Sequence, residues 1–193
     1  DAQEENGYFD TYFILGANGN TPKWWDFNLH ELYCAGHFYE AAVAHYRATN
    51  GQDTRLFDMA IKNADYVCSL FGEGKWKQVP GHQEIELALV KLANLCNEIG
   101  GEYAEKAQNY ITLAEFFLDT RGDYEGRHGT NHNNQYDQDH LPVAEQREAV
   151  GHAVRAGYMY TAMADINLLE QDGRYDEALL ALWDDIENKK TYV

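Results

Sequence analysis

The chain has 193 residues, of which 45% are hydrophobic and 13% aromatic, and its formal net charge is −17. This apolar content is enough to bury a core, which excludes an intrinsically disordered chain, and the length predicts one domain or slightly more. The negative charge argues against nucleic-acid and anionic-membrane partners because it repels polyanions. No stretch approaches the roughly 18 apolar residues of a membrane span, so we expect a soluble protein of the cytoplasm or the periplasm.

Helical periodicity dominates the chain after its first segment. Residues 8–15 form the one stretch whose pattern favours an extended conformation. Further on, apolar residues recur at i, i+3, i+4 and i+7, which predicts six helices. Their predicted ranges are 32–46, 56–67, 85–99, 104–118, 148–169 and 178–186. The predicted fold class is therefore all-α.

The helices are predicted to form three antiparallel hairpins. Short polar turns that contain glycine join them at 49–53, 98–102 and 170–174. The dipeptide Gly-His recurs at 36–37, 81–82 and 151–152, which indicates that the hairpins repeat. Self-similar helix pairs form an open solenoid or a closed α/α toroid, and three pairs would be an open arc.

A long loop interrupts the repeat. The interval from the second Gly-His dipeptide to the third exceeds the first interval, and the excess lies in residues 121–147. Long loops within compact domains are usually binding loops or disordered segments, and the tyrosines and histidines here favour binding. We expect a single α-helical domain over residues 1–193, with this loop near its site.

Three histidines are the strongest candidates for a binding site. His30, His82 and His152 each lie at or just before the start of the first helix of a pair. First helices run parallel in such a fold, so the three side chains are expected to meet at one end. Neutral histidine both donates and accepts hydrogen bonds, which suits a hydroxyl-rich ligand. The alternative is that each histidine caps its helix or packs beneath an aromatic ring.

Carboxylates and aromatic side chains accompany these histidines. A glutamate beside an apolar pocket can act as general acid or base, but capping or ligand binding is the more ordinary use of the four nearby, which are Glu31, Glu84, Glu86 and Glu148. Aromatic rings stack on sugar faces, and Trp24-Trp25 precede the first long helix. Most aromatic residues are equally suited to a core position between hairpins.

The sequence predicts no metal site. His128 and His132 are four residues apart, with Asp137, Asp139 and His140 nearby, but they lie in a loop without the helical face that such spacing requires. The three cysteines, Cys34, Cys68 and Cys96, are too scattered for a disulfide framework or a paired metal motif. We interpret them as buried thiols.

Longer motifs resemble a known family. They read HELYCAGH at 30–37, EAAVA at 40–44, GHQEIELALV at 81–90, QDHLPV at 138–143 and EAVGHAVRA at 148–156. In this order they resemble the β-L-arabinofuranosidases of glycoside hydrolase family 127 (GH127), formerly classed as a domain of unknown function. The resemblance covers essentially the whole chain and implies about half of an (α/α)6 toroid.

The resemblance implies roles for individual residues. It implies that His30, His82 and His152 surround a terminal arabinofuranose, with His37 and His140 as weaker candidates. Family catalysis uses a cysteine nucleophile held on zinc and a glutamate acid/base, but this sequence has no Glu-x-Cys or Cys-Cys pair. We therefore expect a fragment that carries no catalytic residue, cofactor or metal ligand of its own, although zinc is expected in the full-length relative.

Two functions follow as hypotheses. The first is part of a hydrolase acting on β-L-arabinofuranosides, with a carbohydrate substrate as the partner. The second is a non-catalytic helical scaffold that binds a protein or peptide on its concave face. An incomplete ring is expected to expose an apolar side, which predicts a homodimer or a large hydrophobic patch.

Overall fold

A computed structural model describes residues 2–129 and 135–192 of the chain. Its α-helices are α1 (Thr11–Ile14), α2 (Glu31–Ala48), α3 (Arg55–Leu70), α4 (Glu84–Ile99), α5 (Glu102–Thr120), α6 (Ala153–Glu170) and α7 (Asp176–Asp185). Two 3-10 turns, Phe27–Leu29 and Val143–Glu145, and a final π turn, Ile186–Lys190, complete the described elements. No strand forms among the described residues. The all-α prediction is confirmed.

The expected extended segment near the N-terminus is wrong. Residues Thr11–Ile14 form the short helix α1, because the Asp10 carboxylate accepts a hydrogen bond from the Tyr12 amide and caps the first turn. The alternation of aromatic residues here comes from a side-chain cluster. The ring of Tyr8 makes edge contacts with Phe13 and Trp24, and all three side chains are buried.

The helices form two layers. Helix α4 packs between α2 and α6 in one layer, while α3 and α5 lie against α2 and α4 in the other. The turns of the hairpins use left-handed residues, with Gly51 at φ +71° and Gly173 at φ +70°, as the glycine pattern predicts. We call the layer of α2, α4 and α6 the inner layer. The beginnings of these three helices lie side by side at one end of it.

The repeated Gly-His dipeptide has a different position in each hairpin. Gly81-His82 and Gly151-His152 precede α4 and α6, but Gly36-His37 lies inside α2. Gly36 is needed there because α2 and α4 approach closely, and a Cβ atom at this residue would lie 2.9 Å from the Ile85 Cα. The histidine that precedes α2, as His82 precedes α4 and His152 precedes α6, is therefore His30.

The fifth predicted helix starts five residues later than expected. The helix α6 begins at Ala153, after an irregular segment that includes the 3-10 turn Val143–Glu145. Gly151 stops the helix from extending towards the N-terminus. Its φ is +76°, and a Cβ there would lie 2.1 Å from the Gln135 carbonyl oxygen of the adjacent loop.

Burial corrects the interpretation of the cysteines. Cys96 is buried, Cys68 is half-buried, and Cys34 is exposed. Neighbouring residues of α2, such as Leu32 and Ala35, point into the core, so the helical period turns Cys34 outward.

Among the described residues, no helix has the length and apolarity to cross a membrane.

Candidate functional site

Three histidine rings meet where the inner helices begin. The ring centroids of His30 and His82 are 5.2 Å apart, and those of His82 and His152 are 5.9 Å apart. His30 and His152 immediately precede α2 and α6, and His82 lies two residues before α4. The structure thus brings together the three histidines predicted as site residues, and we call them the histidine cluster.

The first two histidines are fixed by contact between their own segments. His30 follows the 3-10 turn Phe27–Leu29 in a left-handed conformation, with φ +66°. Gly81 packs against this turn, and a Cβ there would lie 2.4 Å from the Phe27 ring. Any larger residue at position 81 would separate the two segments, so this glycine sets the distance between His30 and His82.

A buried glutamine fixes the third histidine. The Gln138 Nε2 donates to the carbonyl oxygens of Val150 at 2.8 Å and of His152 at 3.1 Å. The His152 amide in turn donates to the Tyr136 carbonyl at 3.0 Å. Residues 135–138, at the end of the long loop, therefore form one side of the cluster.

The proton of a neutral His152 ring has a defined position. Its Nδ1 accepts a hydrogen bond from the Arg155 amide at 3.4 Å, as an N-cap residue does. This interaction assigns the proton to Nε2, because the two ring nitrogens of neutral histidine divide the donor and acceptor roles. His152 therefore presents a donor on Nε2.

Aromatic rings line the cluster. The Tyr33 ring centroid lies 4.6 Å from that of His82 and 5.8 Å from that of His30. On the other side, the Tyr136 ring makes an edge contact with His152 at 5.5 Å. The Arg155 guanidinium packs 4.9 Å from the Tyr136 ring centroid and forms an ion pair with Asp137.

The cluster is electrically neutral at its centre. Burial, reinforced by the positive charge of Arg155, lowers the pKa of His82 from 6.5 to about 4. Protonating His82 at neutral pH would place a charge in a partly buried site beside two further imidazoles and an arginine. Its Nδ1 is buried without a hydrogen-bond partner among the described residues.

A buried polar network supports the cluster from behind. The fully buried Arg121 donates to the carbonyl oxygens of Pro80 at 2.6 Å and Asp137 at 3.0 Å. Its guanidinium also lies 3.6 Å from the Glu86 carboxylate. Gln83 donates to the Asp137 carbonyl at 2.8 Å, so this network links the start of α4 to the loop.

The glutamates near the histidines have separate partners. Glu31 accepts hydrogen bonds from the Tyr8 hydroxyl and the Trp24 amide, each at 2.5 Å. Glu86 faces Arg121, and Glu148 lies 3.3 Å from Lys190. Glu84 faces His37 instead, so Glu84 and Glu86, two residues apart in α4, point in different directions.

The other histidines have surroundings of their own. His37 contacts Tyr33 and faces two glutamates. The pKa of His140 is lowered, because it is partly buried. His128 stacks on Trp76 with a centroid distance of 5.8 Å. His132, the other half of the His128 pair, lies outside the described residues.

The loop aspartates are held by arginines. Asp139 pairs with Arg127 at 2.5 Å, and Asp137 pairs with Arg155. Both carboxylates are buried, and each has an arginine as its cationic partner.

The described cysteines do not fit the zinc–thiolate centre that the family resemblance implies. Cys34, Cys68 and Cys96 lie on three different helices, α2, α3 and α4. None of the three belongs to a ligand cluster in the described part of the chain. No catalytic step is therefore assigned to a thiol of this chain.

Sequence reasoning missed the residues that position the histidines. Tyr33 follows His30 by three residues and so lies on the same helix face. This spacing is visible in the sequence and could have identified Tyr33. The roles of Gln138, Tyr136 and Arg121 depend on contacts between distant segments. No local pattern marks those residues.

Comparison with known proteins identifies the class. The histidine cluster at one end of paired helices occurs in a chain whose solved neighbours are glycoside hydrolases. A GH127 beta-L-arabinofuranosidase from Geobacillus stearothermophilus T6 has a TM-score of 0.83 and 39% identity over 99% of this chain and 31% of its own. A second GH127 beta-arabinofuranosidase has a TM-score of 0.84 and 42% identity over 99% of this chain and 29% of its own.

Sequence comparison gives the family. A sequence model described as the beta-L-arabinofuranosidase GH127 catalytic domain matches residues 1–193. The chain is also 34% identical to a non-reducing end beta-L-arabinofuranosidase of Bifidobacterium longum subsp. longum, with 100% of this chain and 30% of that protein covered. The chain belongs to the GH127 catalytic-domain family, and it spans about a third or less of the length of these relatives.

Proposed function

We propose that this chain supplies one wall of a pocket that holds a terminal β-L-arabinofuranosyl residue in a glycoside hydrolase. The sugar-binding residues are His30, His82 and His152. The observation that carries the proposal is the convergence of their rings, at 5.2 and 5.9 Å. Membership of the GH127 family supports the choice of sugar.

The chemistry of the cluster suits a neutral, hydroxyl-rich ligand. Each neutral imidazole offers one donor and one acceptor, and His152 presents its donor on Nε2. The rings of Tyr33 and Tyr136 add apolar faces beside the histidines, and sugar C–H groups pack on such faces. The neutral centre is also compatible with the overall negative charge of the protein, since an uncharged substrate is not repelled.

This chain is assigned binding and orientation of the sugar, not bond cleavage. Three glutamates near the cluster are engaged with Tyr8, Arg121 and Lys190. None of the described thiols belongs to a cluster of metal-ligating side chains. The nucleophile and the acid/base are therefore assigned to parts of the enzyme outside the described residues.

The competing function, peptide binding on the concave face, requires a different placement of side chains. A peptide groove requires aromatic and polar side chains along the length of α2, α4 and α6. The concentration of histidine and tyrosine at the N-terminal ends of these helices supports the sugar site instead.

The test is hydrolysis of a chromogenic β-L-arabinofuranoside by the enzyme that carries this chain. We expect His82→Ala and His152→Ala each to lower kcat/KM by about tenfold to a hundredfold, the loss that follows when a buried hydrogen bond is left unmade. The matched control is His128→Ala, since His128 stacks on Trp76 outside the cluster. The proposal would be overturned if His82→Ala and His152→Ala kept the same kcat/KM as the control His128→Ala.

A further inference from the structure

A second group of potential ligands lies beside the histidine cluster, on the other side of the Tyr33 ring, which contacts both His37 and His82. It contains His37 and Glu40 of α2 and Glu84 of α4. The His37 Nδ1 lies 3.2 Å from Glu84 Oε1 and 3.7 Å from Glu40 Oε2. One ligand atom from each residue lies within 4.8 Å of the others, a separation that one ion can bridge with small side-chain rotations.

The buried Glu84 is the feature that requires explanation. Its side chain is fully buried, and the groups that face its carboxylate are the His37 Nδ1, 3.2 Å from Oε1, and the Glu40 carboxylate. A buried carboxylate that faces a second carboxylate is costly. Its nearest charged neighbour of the same sign is Glu40, so both carboxylates cannot be ionised together without a cation or proton between them.

Lys91 neutralises only part of the negative charge of the two glutamates. Its ammonium pairs with Oε1 of Glu40, which leaves Oε2 directed towards His37. With both glutamates ionised and Lys91 charged, the group carries one excess negative charge. Binding of a divalent ion here therefore depends on direct coordination by the ligand atoms rather than on a strong local field.

We propose that His37 Nδ1, Glu40 Oε2 and Glu84 Oε1 bind a first-row divalent transition-metal ion such as Zn²⁺. One imidazole and two carboxylates form a ligand set that such ions accept, and three protein ligands leave a coordination position open. The tyrosine rings nearest to His37 are those of Tyr33 and Tyr158, with centroid distances of 4.5 and 6.1 Å. The site contains no thiol and differs from the family's zinc–thiolate centre in every ligand type but the carboxylate.

The ion would join the two central helices. His37 and Glu40 belong to α2, while Glu84 begins α4. An ion bound to the folded chain alone stabilises that state in proportion to its affinity and concentration. Metal binding at this site is therefore expected to raise the melting temperature, independently of any effect on hydrolysis or sugar binding.

Calorimetric titration of the full 193-residue chain with ZnCl₂, in excess Mg²⁺ to occupy non-specific surface carboxylates, tests the site. We expect one bound ion per chain and an increase in melting temperature. His37→Ala and the near-isosteric Glu84→Gln are each expected to weaken the affinity by about tenfold or more. The His37 side chain is 43% exposed, whereas that of Glu84 is fully buried, so the His37 variant is expected to fold and remains informative if the buried substitution does not.

Two control variants locate the ion. His45→Ala removes a histidine from the same helix that faces the single carboxylate of Asp53, at 3.7 Å. His82→Ala removes the central ring of the histidine cluster. Both are expected to bind Zn²⁺ as the unaltered chain does. The proposal is overturned if the unaltered chain binds no ion, if His37→Ala binds equally well, or if His82→Ala abolishes binding and so places the ion in the cluster.

Discussion

At the scale of single residues, the charge state of His82 is the property on which sugar binding depends. Its ring lies between those of His30 and His152 and near the Arg155 guanidinium, and burial lowers its pKa to about 4. A neutral ring both donates and accepts, whereas a protonated ring only donates. The site is therefore suited to bind an uncharged ligand at neutral pH.

The lowered pKa predicts a pH-dependent stability. As pH falls from 6.5 towards 4, the unfolded chain takes up a proton at His82 that the folded chain excludes, so the free energy of unfolding decreases. The His82→Gln variant is expected to lose less stability over this interval, by about 1–2 kcal/mol after allowance for solvent screening. Urea unfolding at several pH values measures the difference. Parallel pH profiles for the two proteins would contradict it.

Sequence patterns located the site histidines but not what holds them. The position of His30 before α2 followed from helical periodicity, whereas the repeated Gly-His dipeptide pointed equally to His37, which lies inside the helix. The dipeptide was misleading because Gly36 serves the contact between α2 and α4. Gln138 was missed because its partners, Val150 and His152, are distant in sequence.

At the scale of elements, Arg121 links α5, α4 and the long loop. Its fully buried guanidinium contacts Pro80, Asp137 and Glu86. Removing one partner of a buried ion pair leaves an uncompensated charge. Arg121→Met is therefore expected to lower the free energy of unfolding by about 3–5 kcal/mol.

A surface arginine provides the control for that substitution. Arg47 pairs with Glu98 at 2.7 Å, with both side chains more than half exposed. Arg47→Met is expected to cost about 1 kcal/mol or less. Chemical denaturation of both variants gives the comparison, and an equal loss of stability in the two would show that the Arg121 network does not support the fold.

Glycines on two inner helices predict opposite effects of the same substitution. A Cβ at Gly36 would lie 2.9 Å from backbone atoms of Ile85, whereas one at Gly157 of α6 has nothing within 4 Å. Gly36→Ala is expected to destabilise the protein by about 1–3 kcal/mol through overpacking. Gly157→Ala is expected to stabilise it by up to about 1 kcal/mol, because alanine favours helix. Thermal unfolding distinguishes them, and the reverse order would contradict the close packing of α2 on α4.

The elements themselves were largely predictable, because amphipathic helices leave a periodic signal. The six long helices were found, with the largest boundary error at α6. That error arose because the apolar pattern continues into residues 148–152, although the left-handed Gly151 prevents the helix from starting before Ala153. Helix α1 was missed because its four residues are too few to establish a period.

At the scale of the whole molecule, α6 and α7 expose large apolar side chains. Leu168, Leu180 and Trp183 are 75%, 71% and 65% exposed. Exposed apolar surface of this kind favours association. We expect the 193-residue chain to self-associate, and Trp183→Glu to shift it towards the monomer, as measured by light scattering over a range of concentrations. A monomeric mass at all concentrations would contradict this expectation.

Joint binding of an arabinofuranoside by His30, His82 and His152 is the property on which the proposed function rests. The most direct measurement follows the imidazole NMR signals of the chain while methyl β-L-arabinofuranoside is added. We expect concentration-dependent shifts for these three histidines and none for His45, which lies in the last turn of α2. Unchanged signals from the cluster at saturating sugar, or shifts confined to histidines outside it, would contradict the claim.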